Sequence, residues 1–107
     1  MVYTINMIPG QAVQVVRVSQ NDTSLRRFEF RLKIRTAAYA LTDETVEFIQ
    51  SNGARHACEI IDGAAVLDAY SDMTEEAGLF RAKLRIEDSG GGIAYSAAFV
   101  FEVEAAA

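Results

Sequence analysis

Phe28-Glu29-Phe30-Arg31-Leu32-Lys33-Ile34-Arg35 alternates apolar and charged residues without a break. Successive side chains of a strand point to opposite faces, so this spacing predicts a half-buried strand with the apolar members inward. The same grammar returns in Phe80-Arg81-Ala82-Lys83-Leu84-Arg85-Ile86-Glu87 and in Phe99-Val100-Phe101-Glu102-Val103-Glu104. Shorter strands are expected at Val13 to Val18, Val46 to Gln50, Ala57 to Ile61 and Ala64 to Tyr70, with Tyr39-Ala40-Leu41 as a brief edge piece, giving seven to eight in all.

Turn chemistry falls between these segments: Pro9-Gly10 before the first strand, Gln20-Asn21-Asp22-Thr23 after it, then Ser51-Asn52-Gly53, Asp62-Gly63 and Ser89-Gly90-Gly91-Gly92. Such spacing points to antiparallel hairpins. One short helical turn is expected near 72–77, with Asp72 as cap, Glu75 three residues on and Gly78 as stop; it is too short to serve as a packing helix. The last hairpin constrains its own register. Phe80, Ala82, Leu84 and Ile86 must share a face with Phe99, Phe101 and Val103, so even positions oppose odd ones. An even loop centred on Gly90-Gly91 then sets Ala82 opposite Phe99 and Phe80 opposite Phe101. The expected fold is all-β: an antiparallel β-sandwich, immunoglobulin-like or jelly-roll-like, as a single domain over residues 1–107.

Composition agrees with a folded domain. Of 107 residues, 50% are hydrophobic, 23% are charged and one is proline, enough apolar material for a core and too little polar bias for disorder. No apolar run has membrane-spanning length, and residues 1 to 15 lack the pattern of a secretory signal, so the chain is expected to act where it is made or to leave the cell by another route. The lone Cys58 excludes an internal disulfide. A net charge of -5 argues against nucleic acid as a partner. The charge is uneven: residues 1–36 carry +4 and the remainder -9, a dipolar layout suited to oriented docking.

No constellation points to chemistry. His56 and Cys58 lie two apart and share a strand face, but catalysis needs a pocket and a third group to orient the base, whereas a buried Cys near a strand-end His is an ordinary structural outcome. Asp43-Glu44, Glu75-Glu76 and Glu87-Asp88 lack the spacing of a calcium loop. Ser89-Gly90-Gly91-Gly92 leads into a strand, so no helix N-terminus is there to hold phosphate. No catalytic, cofactor or metal residues are therefore expected. The candidate partner-binding residues are the outward cations Arg27, Arg31, Lys33, Arg81, Lys83 and Arg85, which would steer docking onto an acidic neighbour. The competing expectation pairs them across the sheet with Glu29, Glu47, Glu87, Glu102 or Glu104.

The order of motifs is itself informative: Ile8-Pro9-Gly10-Gln11, Gln20-Asn21-Asp22-Thr23, Phe28-Glu29-Phe30-Arg31-Leu32, Tyr39-x-Leu41-Thr42, Val46-x-Phe48, Met73-Thr74-x-x-Ala77-Gly78, Lys83-Leu84-Arg85-Ile86 and Phe99-x-Phe101-x-Val103-Glu104. Over nearly its whole length the chain resembles the N-terminal domain of phage baseplate upper proteins, of phages and prophages of Gram-positive bacteria. It departs from them where Lys33-Ile34-Arg35-Thr36-Ala37-Ala38 continues the strand pattern instead of turning through glycine, and where it ends at Ala105-Ala106-Ala107. Family members generally continue there into a helical linker, so 105–107 is either the start of that linker in a longer protein or the end of a short version that keeps the anchoring module.

The resemblance implies a structural phage tail protein that attaches receptor-binding parts to the baseplate core. It implies no enzymatic activity and no cofactor. Expected partners are other tail and baseplate proteins, including the baseplate core, the receptor-binding protein and further copies of the chain, with no nucleic acid or membrane. The expected location is the virion tail tip, and the host cytoplasm during assembly. The alternative is a small carbohydrate-binding β-sandwich, for which Tyr3, Tyr39, Tyr70 and Tyr95 are the available aromatic platform, since tryptophan is absent.

Overall fold

The computed structural model describes residues 1–10 and 13–106. Gln11 of Ile8-Pro9-Gly10-Gln11 and Ala107 of Ala105-Ala106-Ala107 lie outside the described residues. Each alternating segment becomes a strand with its apolar members inward: Phe28, Phe30 and Leu32 are buried, as are Ala82, Leu84 and Ile86, and Phe99, Phe101 and Val103. Ile34 is an exception, exposed where the segment stops at a turn through Arg35, whose φ is 57°.

The described residues form ten strands: β1 (Val2–Asn6), β2 (Val15–Ser19), β3 (Arg27–Ile34), β4 (Ala37–Tyr39), β5 (Thr45–Gln50), β6 (Arg55–Ile61), β7 (Ala64–Asp68), β8 (Gly78–Glu87), β9 (Ile93–Tyr95) and β10 (Phe99–Glu104). One helical turn, α1 (Ser71–Thr74), lies between β7 and β8. The strands join in one hydrogen-bonded path, β1-β3-β7-β6-β5-β8-β10-β2, with β4 on β3 and β9 on β8. The path turns at β6, which pairs with β5 from Arg55 to Cys58 and with β7 from Glu59 to Ile61. Its two halves therefore face each other. The Phe30 ring lies 6.2 Å from Phe48 and 5.7 Å from Phe99, and Phe28 lies 5.7 Å from Phe101.

The chain is thus nearly all-β around one apolar core, but two expectations are corrected. There are ten strands, not seven to eight, because Val2–Asn6 and Ile93–Tyr95 also pair. The sheet is mixed, not antiparallel: β1 runs parallel to β3, and β2 parallel to β10. The cause is connectivity. β1 and β2 sit at opposite ends of the path, so the chain crosses between the two halves before β3 returns beside β1, and such a crossover leaves neighbours parallel.

Ala82 pairs with Phe99 and Phe80 with Phe101, the expected register, but the chain reaches it by another route. Glu87 pairs with Ile93 and Arg85 with Tyr95, so the loop Asp88–Gly92 is odd. Asp88 organises it, its Oδ1 accepting the Gly90 and Gly92 amides at 2.9 and 2.8 Å, while Gly91 takes φ 87°. Between Tyr95 and Phe99 four steps on one strand answer three on β8, a one-residue bulge that restores the parity the inward phenylalanines demand.

Ser96 repairs the ladder at the bulge. Its Oγ accepts the Leu84 amide at 2.9 Å and donates to the Ala97 carbonyl at 2.9 Å. Ser96→Ala leaves the Leu84 amide without that acceptor in a buried place, so unfolding free energy should fall by about 1–3 kcal/mol. Urea melts measure this; an unchanged midpoint would mean another group takes over the Leu84 amide.

The helical turn is shorter than expected and differently capped. Tyr70, not Asp72, is the N-cap residue, because the turn begins at Ser71 and takes Asp72 inside it, where its carboxylate meets His56 Nε2 at 2.6 Å. The turn also does more than connect. Met73 and Thr74 are buried and close one end of the core, with Gln50 Nε2 donating to the Met73 carbonyl at 3.1 Å and Thr74 Oγ1 donating to the Asp22 carbonyl.

At the opposite end the Tyr39-x-Leu41-Thr42 step folds around Glu44. The Thr42 amide and the Tyr39 hydroxyl each donate to its carboxylate at 2.7 Å, which lowers the Glu44 pKa from 4.5 to about 2. A carboxyl depressed by folding stabilises the fold above its unfolded pKa, and that contribution is lost as pH falls from 4.5 toward about 2. Glu44→Gln should flatten the acid limb of stability in that window while leaving the slope near neutral pH unchanged. Denaturant midpoints at stepped pH test it, and identical limbs in both proteins would refute the clasp.

Candidate interaction face

Outward positions of the two halves lie on opposite sides of the molecule, because the inward positions meet in the shared core. The six candidate cations therefore divide. Arg27, Arg31 and Lys33 stand on the outer side of β3, and Arg81, Lys83 and Arg85 on the outer side of β8. No single face collects all six.

On the β3 side pairing is extensive. Arg27 meets its cross-strand partner Asp68 at 2.7 Å, and Arg31 meets Glu29 at 2.7 Å. The hydrogen bond from Arg27 holds the Asp68 carboxyl below its usual range. Lys33 has no carboxylate within ion-pair distance among the described residues.

On the β8 side the surrounding arginines and carboxylates match one another. Arg55 holds Glu47 at 2.6 Å, Arg85 holds Glu87 at 2.9 Å and Arg17 holds Glu102 at 2.8 Å. The hydrogen bond from Arg55 keeps the Glu47 carboxyl below its usual range. Glu104 stands exposed at the far end of β10. Arg81 and Lys83, in the middle, have no ion-pair partner among the described residues, and Lys83 Nζ lies 4.4 Å from the centre of the Tyr95 ring. Exposed pairs of this kind contribute little stability, about 0–1 kcal/mol each, so their main effect is to leave Arg81 and Lys83 as the unmatched cations of this face.

Apolar groups accompany them. Leu79 is 71% exposed and Val13 61% exposed, and both border a groove of about 290 Å³ with Arg81, Ala98 and Val100. Sequence reasoning about charge passed these residues over. Their signal was present: Leu79 occupies the outward, odd-numbered register of β8 that Arg81, Lys83 and Arg85 otherwise fill, and Val100, opposite Arg81, is an apolar residue in the outward register of β10.

His56 and Cys58 do share the inner face of β6, opposite Phe48 and Val46. Cys58 packs against the core, and burial pushes its thiol up to about 12, far from a nucleophilic thiolate at neutral pH. His56 instead stacks on Tyr70, with ring centres 3.9 Å apart, and bonds Asp72. No group of three or more metal-ligating side chains occurs among the described residues. No helix among them is long and apolar enough to cross a membrane. The tyrosines are dispersed: Tyr3 packs on Phe28 and Phe30, Tyr39 on Glu44, Tyr70 on His56 and Tyr95 beside Lys83.

No protein-family model matches the chain, and no curated protein matches it in sequence. Among solved structures, the N-terminal domain of phage TP901-1 ORF48 is similar, with a TM-score of 0.71 over 96% of this chain and 96% of that chain at 10% identity. CopC from Methylosinus trichosporium OB3b is similar at a TM-score of 0.51 over 91% of this chain and 88% of that chain, at 16% identity. At these identities the likeness is one of fold.

Proposed function

We propose that the chain is a structural protein of a phage tail, a non-enzymatic assembly module that attaches receptor-binding parts to the baseplate core. One observation carries this reading: the chain matches, end to end, the fold of an N-terminal domain from a phage protein. The order of motifs from Ile8 to Glu104, which resembles the N-terminal domain of baseplate upper proteins, points the same way. Fold alone does not imply function, so the assembly role rests on the test below. A carbohydrate platform gains no support from four tyrosines held in four separate settings.

The module's place is the virion, at the tail tip, among other tail proteins and copies of itself. The test is direct. Particles purified from the phage or induced prophage that encodes the chain should contain it by mass spectrometry, and antibody labelling in the electron microscope should mark the tail tip. Particles that lack the chain, or label on capsids alone, would overturn the proposal.

A further inference from the structure

The outer face of β8 and β10 sets cations that have no ion-pair partner among the described residues beside an open groove. Outward from β10, the short side chains of Ala98 and Val100 form a floor, with Leu79 and Arg81 on one wall and Val13 on the other. A second groove of about 290 Å³ runs on the far side of Arg81, between Ile49 and Lys83. Arg81 is thus a ridge between two largely apolar channels, with Lys83 beside it. The nearby carboxylates Glu47, Glu87 and Glu102 are already held by arginines, and Glu104 lies at the strand end.

We infer that this face is a docking site for an acidic segment of another protein that carries apolar side chains at intervals, its carboxylates meeting Arg81 and Lys83 and its apolar groups filling the grooves. Charge complementarity selects the occupant. In a chain of net charge -5, two cations without an ion-pair partner among the described residues, set beside apolar grooves, attract carboxylates locally while the rest of the molecule repels them, which orients an approaching partner. A nucleic acid backbone is a poorer fit, since two free cations release few counterions and a phosphate chain leaves apolar grooves empty. The surface takes its biological meaning from the assembly role proposed above, but its test does not.

The experiment titrates the full, isotope-labelled chain with a synthetic peptide alternating glutamate and leucine, followed by NMR. Matched peptides carrying glutamine or lysine for glutamate, and a short single-stranded DNA, serve as controls. Amide shifts should cluster at Val13, Leu79, Arg81, Lys83 and Val100, and binding should weaken with salt. Arg81→Glu with Lys83→Glu should cost about tenfold or more in affinity, because like charges then face each other. Leu79→Ser should weaken binding while preserving its salt dependence. All three side chains are exposed, so the dispersed spectrum of the folded chain should persist in the variants. Equal binding of the glutamine peptide or the DNA, shifts spread over every cation, or an unaffected double variant would overturn the site. Concentration-dependent self-association that protects the same amides would overturn it in favour of a second copy as occupant. A chain missing from particles whose face still binds the peptide sinks the assembly role alone. A chain present in particles whose face binds nothing sinks the face alone.

Discussion

Phe30→Ala should lower the unfolding free energy by about 3–5 kcal/mol, as expected for loss of a buried phenylalanine with partial collapse of the cavity. Phe30 is fully buried and touches both halves of the sheet: Phe28 at 6.0 Å and Tyr3 at 6.2 Å on its own side, Phe48 at 6.2 Å and Phe99 at 5.7 Å across the core. No single neighbour can move in to fill the space, because those rings are themselves braced on strands that pair elsewhere. Against a total stability of roughly 5–15 kcal/mol for a domain of this kind, the loss is a large share. Urea melts should show a lower midpoint with little change in slope, the sign of lost stability in an otherwise similar native state. A midpoint unchanged within error would mean that β3 does not face β5 and β10, and the packing of the two halves would have to be redrawn.

What could be seen in the sequence, and what could not, divides along a physical line. Period-two alternation reports which side chains of a strand go inward, so the inner faces of β3, β8 and β10 were legible from residues alone. It also fixed the partnership of Ala82 with Phe99, because any one-residue slip would put phenylalanines in water. The odd loop and the compensating bulge at Ser96 were not legible, since an even loop satisfies the same parity and only backbone geometry separates the two. Alternation says nothing about which strand lies beside which. The parallel placement of β1 beside β3 and of β2 beside β10 was therefore missed, and with it the pairing of Arg17 with Glu102.

The candidate site shows the same division. Arg27, Arg31, Lys33, Arg81, Lys83 and Arg85 were correctly read as outward, yet outward from two halves that face each other means two opposite surfaces. Which cations are consumed depends on neighbours in space: Arg27 meets Asp68 because β3 adjoins β7. Only the fold separates matched cations from unmatched ones. Arg81 and Lys83 then emerge beside Leu79, an apolar residue in an outward register whose meaning needs the groove next to it.

Met73→Ala should cost about 2–5 kcal/mol, an effect on the scale of a central core residue although Met73 belongs to a single helical turn. A four-residue helix has almost no stability of its own, since nucleation costs more than one turn of hydrogen bonds returns. It must be held by what it buries. Met73 is 1% exposed and belongs to the same apolar cluster as the phenylalanines, while its carbonyl is tied to Gln50 and its neighbour Thr74 to Asp22. Truncating Met73 removes the apolar anchor and leaves only polar ties, among them those of Gln50, Asn52 and His56 to the turn and of Thr74 to Asp22, to hold the end of the core closed. The segment should then open locally before the sheet does. Hydrogen exchange at the Glu75 and Asn21 amides, which bond to Ser71 and Thr74, should accelerate more than exchange in β3. Met73→Leu, which conserves volume, should cost less than about 1.5 kcal/mol and keep those amides protected. Equal protection in the alanine and leucine variants would show that the polar ties alone close this end, and that the methionine is a passenger.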